Sequence, residues 1–473
     1  MRTLLLYIGM GVALLGLSAC EDFLDITPEG QVKRDELLST PGGIEDAMYG
    51  VYAQLRGQNL YGREMSFSAL DVMAQYYQPF GNNYKVENLQ KYNYTYSSLE
   101  TLFQSLWTDM YHNISNVNSI LESGLVSNAT VYPYKIYRGE ALGLRAFMHF
   151  DLLRLFAAQV TVNPEADGIP YATTFSLTAP DFAKAAKVYE YILADLLKAE
   201  ELLADEAAYA GDRDFMTMRQ IHFNLHAVRA TLARVYLTMG DYEKAETYAR
   251  KVIDESGLSL LKKIEVKGDV AGCLSRKETV FGIYSTTEFY SYVYDDLWLR
   301  TTHYSLDPRK DYASFYETAE GSDYRLEAYF TTKPTGEVRF TKILDSYKVD
   351  NNEARRPEGT IQGINLIRLP EMYYIVAECR NRANDTEAAA ALLDKVRESR
   401  GIERKLDWEQ MTAEMMQEEI NAERYKELIG EGQMFYHFKR LNLAITDPNG
   451  TSFAPSSEIY VVPIPEIEYD YRN

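Results

Sequence analysis

The sequence predicts a mostly α-helical chain: a stacked array of tetratricopeptide-like helical pairs, interrupted by aromatic, loop-rich blocks. Three observations carry this expectation. Two segments repeat a small–turn–small spacing, three more place apolar residues on one helical stripe, and tyrosine crowds into two stretches rich in turn-forming residues.

In chain order, the first element is an export signal. Arg2 is the only charge before Glu21, and an apolar run from Leu4 to Leu17 follows it. That is too short and poorly flanked for a spanning helix, and residues 1–19 read as a signal peptide. Leu17-Ser18-Ala19-Cys20 is similar to the lipobox of bacterial lipoproteins, in which the cysteine is acylated and becomes the first mature residue. Several acyl chains anchor a protein firmly, since each buried methylene contributes roughly 0.8 kcal/mol and one chain alone is marginal. Cys20 is thus the expected lipid anchor, residues 20–473 a single domain, and the polar stretch from Glu21 to Ser39 a tether.

The formal net charge of −20 argues against nucleic acid and against adhesion to anionic lipid, both of which need a basic footprint. Beyond Cys20 two cysteines remain, Cys273 and Cys379, too few for a disulfide scaffold. Cys379 sits in an apolar stretch and reads as a buried thiol, although spacing alone leaves one long-range bridge open.

The first loop-rich insertion, about 60–100, holds six tyrosines between Tyr76 and Tyr96, with Pro79, Gly81 and Asn82-Asn83 as turn residues. "LFQSLWTDMYHNISNVNSILES" then aligns Leu106, Met110, Ile114, Val117 and Leu121. "GEALGLRAFMHFDLLRLFA" aligns Leu144, Phe147, Met148, Leu152 and Leu155. The clearest pair runs from 225 to 254. Ala233, Tyr236, Gly240 and Ala245 let two antiparallel helices approach, with Gly240 at the turn. A second insertion, about 257–365, holds seven tyrosines between Tyr284 and Tyr316. The pair at 372–400 repeats the spacing with Ala377, Asn384 and Ala389, and Asn substitutes for Gly at a left-handed turn. "AERYKELIGEGQMFYHFKRLN" closes the helical part with a break at Gly430 and Gly432. The tail "SSEIYVVPIPEIEYDYRN" reads as extended, because its prolines forbid a helix.

With these segments in hand, the chain resembles the RagB/SusD family of nutrient-uptake outer-membrane lipoproteins. The likeness runs through "CEDFLDITPEG", "LWTDMYHNISNVNSILE", "GEALGLRAFMHFDLLRLF", "DGIPY", "ETVFGIYS", "SDYRLEAYF", "LIRLPEMYYIVAEC", "ERYKELIGEGQMFYHFKRLN" and "VVPIP". It departs where family members often carry Arg and Asp and this chain has Met434 and His437, and where "LFAAQV" replaces a glycine-containing helix end. These are scaffold positions, so local salt bridges are what they put in doubt. The resemblance implies a tetratricopeptide-like array of about four helical pairs, carrying a loop-rich, irregular half with few short strands, in a lipid-anchored protein exposed on the outer-membrane surface. It would capture oligosaccharide and pass it to a SusC-like TonB-dependent transporter as that transporter's lid, without catalysis and without a cofactor.

A glycan presents hydroxyls and C–H faces, which proteins meet with flat aromatic rings and a few polar side chains. Of the 38 tyrosines a third lie in two windows, Tyr76 to Tyr96 and Tyr284 to Tyr316, that make up about a ninth of the chain. Loops on a rigid scaffold commonly carry binding residues. Stacking is therefore expected from Tyr76, Tyr77, Tyr84 and Trp298, with Tyr290 and Tyr292 in support. Asp71, Asn82, Asn83 and Arg300 are the candidates for hydroxyl hydrogen bonds. The opposing reading is that Tyr290, Tyr292 and Tyr294 alternate on a half-buried strand, or that loop tyrosines simply pack.

Other chemistry is poorly represented. His222 and His226 are one helical turn apart, but Phe223 occupies the place where a zinc protease needs glutamate. There is no phosphate-binding glycine loop, no G-x-S-x-G elbow and no EF-hand spacing, and no metal site is expected. Three alternatives stay open: oligopeptide capture by the same architecture, a surface glycoside hydrolase needing only two opposed carboxylates, and an adaptor that binds only protein.

Overall fold

The computed structural model describes residues 34–79, 81–262, 274–284, 292–300, 305–316, 323–344 and 361–470. Cys20, the signal segment, Cys273 and Tyr290 lie outside them.

The principal helices, in order, are α1 (Pro41–Leu55), α2 (Ala69–Met73), α3 (Tyr84–Gln90), α4 (Ser97–Leu121), α5 (Tyr134–Phe156), α6 (Ala185–Leu203), α7 (Leu225–Met239), α8 (Tyr242–Glu255), α9 (Tyr324–Tyr329), α10 (Leu369–Arg382), α11 (Thr386–Ser399), α12 (Ala413–Glu427) and α13 (Met434–Leu441). Side chains cap several of them, though not the three longest, α4, α5 and α6. Thr40, Asn224, Asp241, Asp385 and Thr412 each accept a backbone N–H in the first turn. The array builds by neighbours: α1 lies on α4, α4 on α5, α5 on α6, α6 on α7, α7 on α8, α8 on α10, and α10 on both α11 and α12.

Both expected hairpins form. Gly240 takes φ +79° between α7 and α8, a left-handed value that a Cβ would strain. Ala233, Ala245 and Ala249 are fully buried where the two helices meet, and Tyr236 stacks on Tyr248 at 5.6 Å. Between α10 and α11, Asn384 takes φ +61°, and Ala377, Ala389, Leu393 and Val396 are fully buried. The stripe on α4 is buried through Val117, with Leu121 at its half-buried end, and the stripe on α5 is buried throughout. Cys379 is buried, which pushes its thiol up to about 12.

Three details differ from the sequence reading. Tyr292–Tyr294 is helical and runs into a wide-turned helix from Asp295 to Leu299, so the alternating tyrosines do not make a strand there. The tail is extended only around its prolines, with one-turn helices at Ser457–Tyr460 and Ile467–Asp470. His222 precedes α7, whose cap is Asn224, so the two histidines do not share a helix. Among the described residues no group of three His, Cys, Asp or Glu is placed to hold a metal ion.

The described strands form five antiparallel two-stranded ribbons. A buried charge network ties this irregular half to the helices. Glu427, at the end of α12, accepts hydrogen bonds from Arg325 (3.2 Å), Arg368 (2.7 Å) and Arg400 (2.9 and 3.0 Å). All four residues are buried. Burial alone would raise the Glu427 carboxyl, but the guanidiniums of Arg400 and Arg368 reverse this and hold it well below the usual carboxylate range.

Candidate functional site

One ribbon brings the two tyrosine-rich insertions together. Tyr77–Pro79 pairs antiparallel with Leu306–Pro308, Tyr77 opposite Pro308 and Pro79 opposite Leu306. The ribbon extends one contact further, since the Arg309 N–H donates to the Tyr76 carbonyl at 3.1 Å. Beside it the chain turns through Tyr312–Phe315 and opens a shallow cleft, with about 10 Å³ of room for a water-sized guest and about 240 Å³ when the open space at its mouth is counted. Tyr76, Arg309, Tyr312, Phe315, Tyr316, Phe330, Tyr425 and Ile429 line that cleft.

Aromatic rings form its walls. Tyr76 stacks on Tyr425 at 4.1 Å, and Phe315 lies 5.2 Å from Tyr425. Tyr312 lies 4.6 Å from Phe330 on the other side. Tyr312, Phe315 and Tyr425 are half-buried, so part of each ring is open to solvent. Arg309 crosses the rim. It pairs in fork fashion with Asp311 at 2.5 and 2.8 Å, reaches the Tyr425 hydroxyl at 3.3 Å, and lies 4.9 Å over Phe315. The hydrogen bonds from Arg309 hold the exposed Asp311 carboxyl below its ordinary range. Flat, partly wet rings beside a fixed charged pair suit a ligand with apolar faces and polar edges.

The expected residues divide into wall and surface. Asp71 is fully buried and accepts the backbone N–H groups of Gly430 (2.5 Å) and Gly432 (3.1 Å), and burial pushes its carboxyl well up. Its acceptors are spent on the break between α12 and α13, and none faces the cleft. Tyr76 is 3% exposed, with its hydroxyl donating to the Tyr425 carbonyl at 2.6 Å. Tyr77 is fully buried, its ring edge-on to Phe340 at 6.0 Å. Asn83 is buried and caps α3 through the Val86 N–H. Arg300 is spent on Asp307 (2.6 Å) and Glu337 (2.5 Å). Asp71 and Tyr76 are held by partners far along the chain, whereas Asn83 is held by its own helix and Arg300 by Asp307 and Glu337 nearby.

Asn82 and Tyr84 are exposed beside the ribbon, Tyr84 at 59%. Trp298 is half-buried, with Tyr294 stacked at 6.3 Å and the Lys333 ammonium 4.6 Å over its ring. Its turn packs on the strands at 306–308 and 338–340. Tyr292 is half-buried and donates to the Gly62 carbonyl at 3.1 Å. Sequence reasoning missed Arg309, Tyr312, Phe315 and Tyr425. The "LDPRKDY" run held the signal for Arg309 and Tyr312, because it sits inside the second tyrosine window. Tyr425 lies in a helical motif where nothing marks it as different.

The fold has clear relatives. A family profile described as starch-binding and associating with the outer membrane matches residues 22–237, and the SusD family profile matches residues 276–460. The chain is 25% identical to the SusD-like protein P2 of Formosa agariphila, across 96% of this chain and 95% of that one. Among solved structures, a SusD-like carbohydrate-binding protein from Bacteroides vulgatus superposes with a TM-score of 0.73 at 21% identity, over 91% of this chain and 96% of that one. A SusD superfamily protein from Bacteroides thetaiotaomicron gives 0.69 at 23% identity, over 91% and 97%. Among the described residues no helix is long and apolar enough to cross a membrane. The two profiles divide the chain between them, the P2 relative spans nearly all of it, and the helical array with its ribbons is shared with both solved structures. This chain therefore belongs to the SusD/RagB family, whose profile describes starch binding in association with the outer membrane.

Proposed function

We propose that this protein is a surface lipoprotein that captures oligosaccharides and delivers them, as a lid, to a SusC-like TonB-dependent transporter. The observation that carries the reading is the ribbon that joins the two tyrosine-rich insertions around an aromatic cleft. In this reading Tyr312, Phe315 and Tyr425 supply sugar-stacking faces, with Trp298, Tyr84 and Tyr292 extending the platform. Arg309, Asp311 and Asn82 orient hydroxyls from the rim. Asp71, Tyr76, Tyr77, Asn83 and Arg300 act from behind, holding the wall. Tyr290, outside the described residues, is given a supporting role on the sequence alone. Cys20 carries the acyl chains, after removal of residues 1–19, and binding proceeds without turnover.

Calorimetric titration against plant, host and microbial polysaccharides and a peptide digest tests the capture step. Heat with one glycan class, reduced at least tenfold by Tyr312→Ala or Phe315→Ala, supports it. Heat from peptides alone moves the substrate to oligopeptides, and silence with every ligand overturns capture by this chain. Release of reducing ends during the titration would overturn binding without turnover. Membrane fractionation tests the anchor: Cys20→Ala is expected in the soluble fraction.

A further inference from the structure

A second cavity lies away from the aromatic cleft, between α5, α7, α10, α12 and α13. Arg154, Arg234, Leu237, Thr238, Glu371, Arg424, Gln433, Tyr436, His437 and Arg440 line it, and its volume of about 20 Å³ admits roughly one water-sized guest. Four guanidiniums meet there. Three have carboxylate partners. Arg154 is paired with Asp151, Arg234 with Glu371 at 2.5 and 2.8 Å, and Arg440 with Glu378 at 2.7 Å.

The fourth, Arg424, is 3% exposed, and its Nε and Nη2 have no hydrogen-bond partner. Glu371 and Glu378 act on it only at a distance, each already engaged by its own arginine. His437 adds no negative charge. Its Nδ1 accepts from Arg440 at 2.8 Å, which leaves Nε2–H to donate to Asn421 at 2.8 Å, so the ring is neutral. Burial, reinforced by the neighbouring Arg440 charge, pulls the Arg424 guanidinium down to about 10. Arg234 Nη1 and the Tyr436 hydroxyl, on the same cavity wall, are also unpartnered.

A buried charge left uncompensated is among the costliest arrangements a protein can hold. The unmet nitrogens are donors only. A water would answer their hydrogen bonds while leaving the extra positive charge in place. A monovalent anion of about water's size would answer both. We infer that this cavity is a structural anion site, in which Arg424, Arg234 and Tyr436 hold one chloride-sized ion.

Bromide in place of chloride makes the site visible. Crystals soaked in sodium bromide and measured at the bromine absorption edge should show an anomalous peak between Arg424 and Tyr436. Water density there without a bromine peak overturns the inference. The unfolding temperature should rise as chloride replaces gluconate at constant ionic strength, and the Arg424→Met variant should lose that dependence. A bromide peak that survives Arg424→Met overturns the role given to Arg424. A peak seen only at molar bromide, with no chloride dependence of unfolding in the unsubstituted protein, overturns the structural role. Because the soak and the chloride series need only the unsubstituted protein, a variant that fails to fold leaves the test intact.

Discussion

The two halves of the molecule are held by different physics. In the helical array, α7 and α8 meet through Ala233, Ala245 and Ala249, side chains so small that the backbones themselves come close. The hydrogen bonds of each helix are internal, so packing has only to fit volumes. The described residues of the irregular half have only short ladders. Its ribbons are two strands wide, and on their own such ribbons are marginal in water. Arg325 and Arg368 fasten it to Glu427 on α12, and Lys342 adds hydrogen bonds to the carbonyls of Glu427 and Ile429 at 2.7 and 2.8 Å. Charge and hydrogen bonding thus do for irregular backbone what shape does for helices, and with a sharper failure when one member is lost.

That contrast can be broken at its strongest point. Glu427→Gln leaves the buried network one negative charge short, although Arg325 keeps Asp323 and Glu423, Arg368 keeps Glu278 and Glu431, and Arg400 keeps Glu278; it should cost about 3–5 kcal/mol, read as a fall in the urea midpoint. A cost below about 1 kcal/mol would show that the loops are held by something else. The helical side is tested by overfilling. Ala233→Leu should cost about 1–3 kcal/mol while leaving ligand heats unchanged, and loss of ligand binding without loss of stability would blur the division.

His149 sharpens the comparison, because within the helical array it ties the loop after α5 to that helix without charge. Its Nδ1–H donates to the Arg145 carbonyl at 2.8 Å and its Nε2 accepts the Ala172 N–H at 3.0 Å. Burial lowers the imidazole from 6.5 to about 3. The unfolded chain therefore binds the proton first. The contribution is complete above about pH 6.5 and is lost as pH falls toward 3, by up to about 1.4 kcal/mol per unit. Urea midpoints at pH 7 and pH 5 should differ accordingly, and His149→Gln should flatten the difference. The smallest effect belongs to Tyr76→Phe, which removes the donor to the Tyr425 carbonyl and should cost about 1 kcal/mol. Its calorimetric signature is a modest loss of ligand affinity with the stacked ring still in place.

Legibility in the sequence follows the same division. The two hairpins could be read residue by residue, because Gly240, Asn384 and the buried alanines lie within a few turns of what they contact. The tyrosine segments could be located but not sorted. Tyr76 and Tyr84 stand eight residues apart in similar company, yet one is buried against Tyr425 and the other is open to water. Only a partner far along the chain distinguishes them. Asp71 misled for the same reason, since the amides that claim it belong to Gly430 and Gly432. The departure at His437 was visible as a change of residue type. The neutral ring it places between Arg440 and Asn421 needed the third dimension.

The reach of Tyr76 across the molecule also sets an order of events. Its hydroxyl finds a carbonyl 349 positions later, and the ribbon beside it pairs residues more than two hundred positions apart. A chain synthesised from its N-terminus has the first wall of the cleft long before the second exists. Helical hairpins can close as they emerge, because their contacts are local. The aromatic cleft can close only when α12 has arrived, so a receptor able to hold its ligand is one whose chain has been made and folded almost to its end.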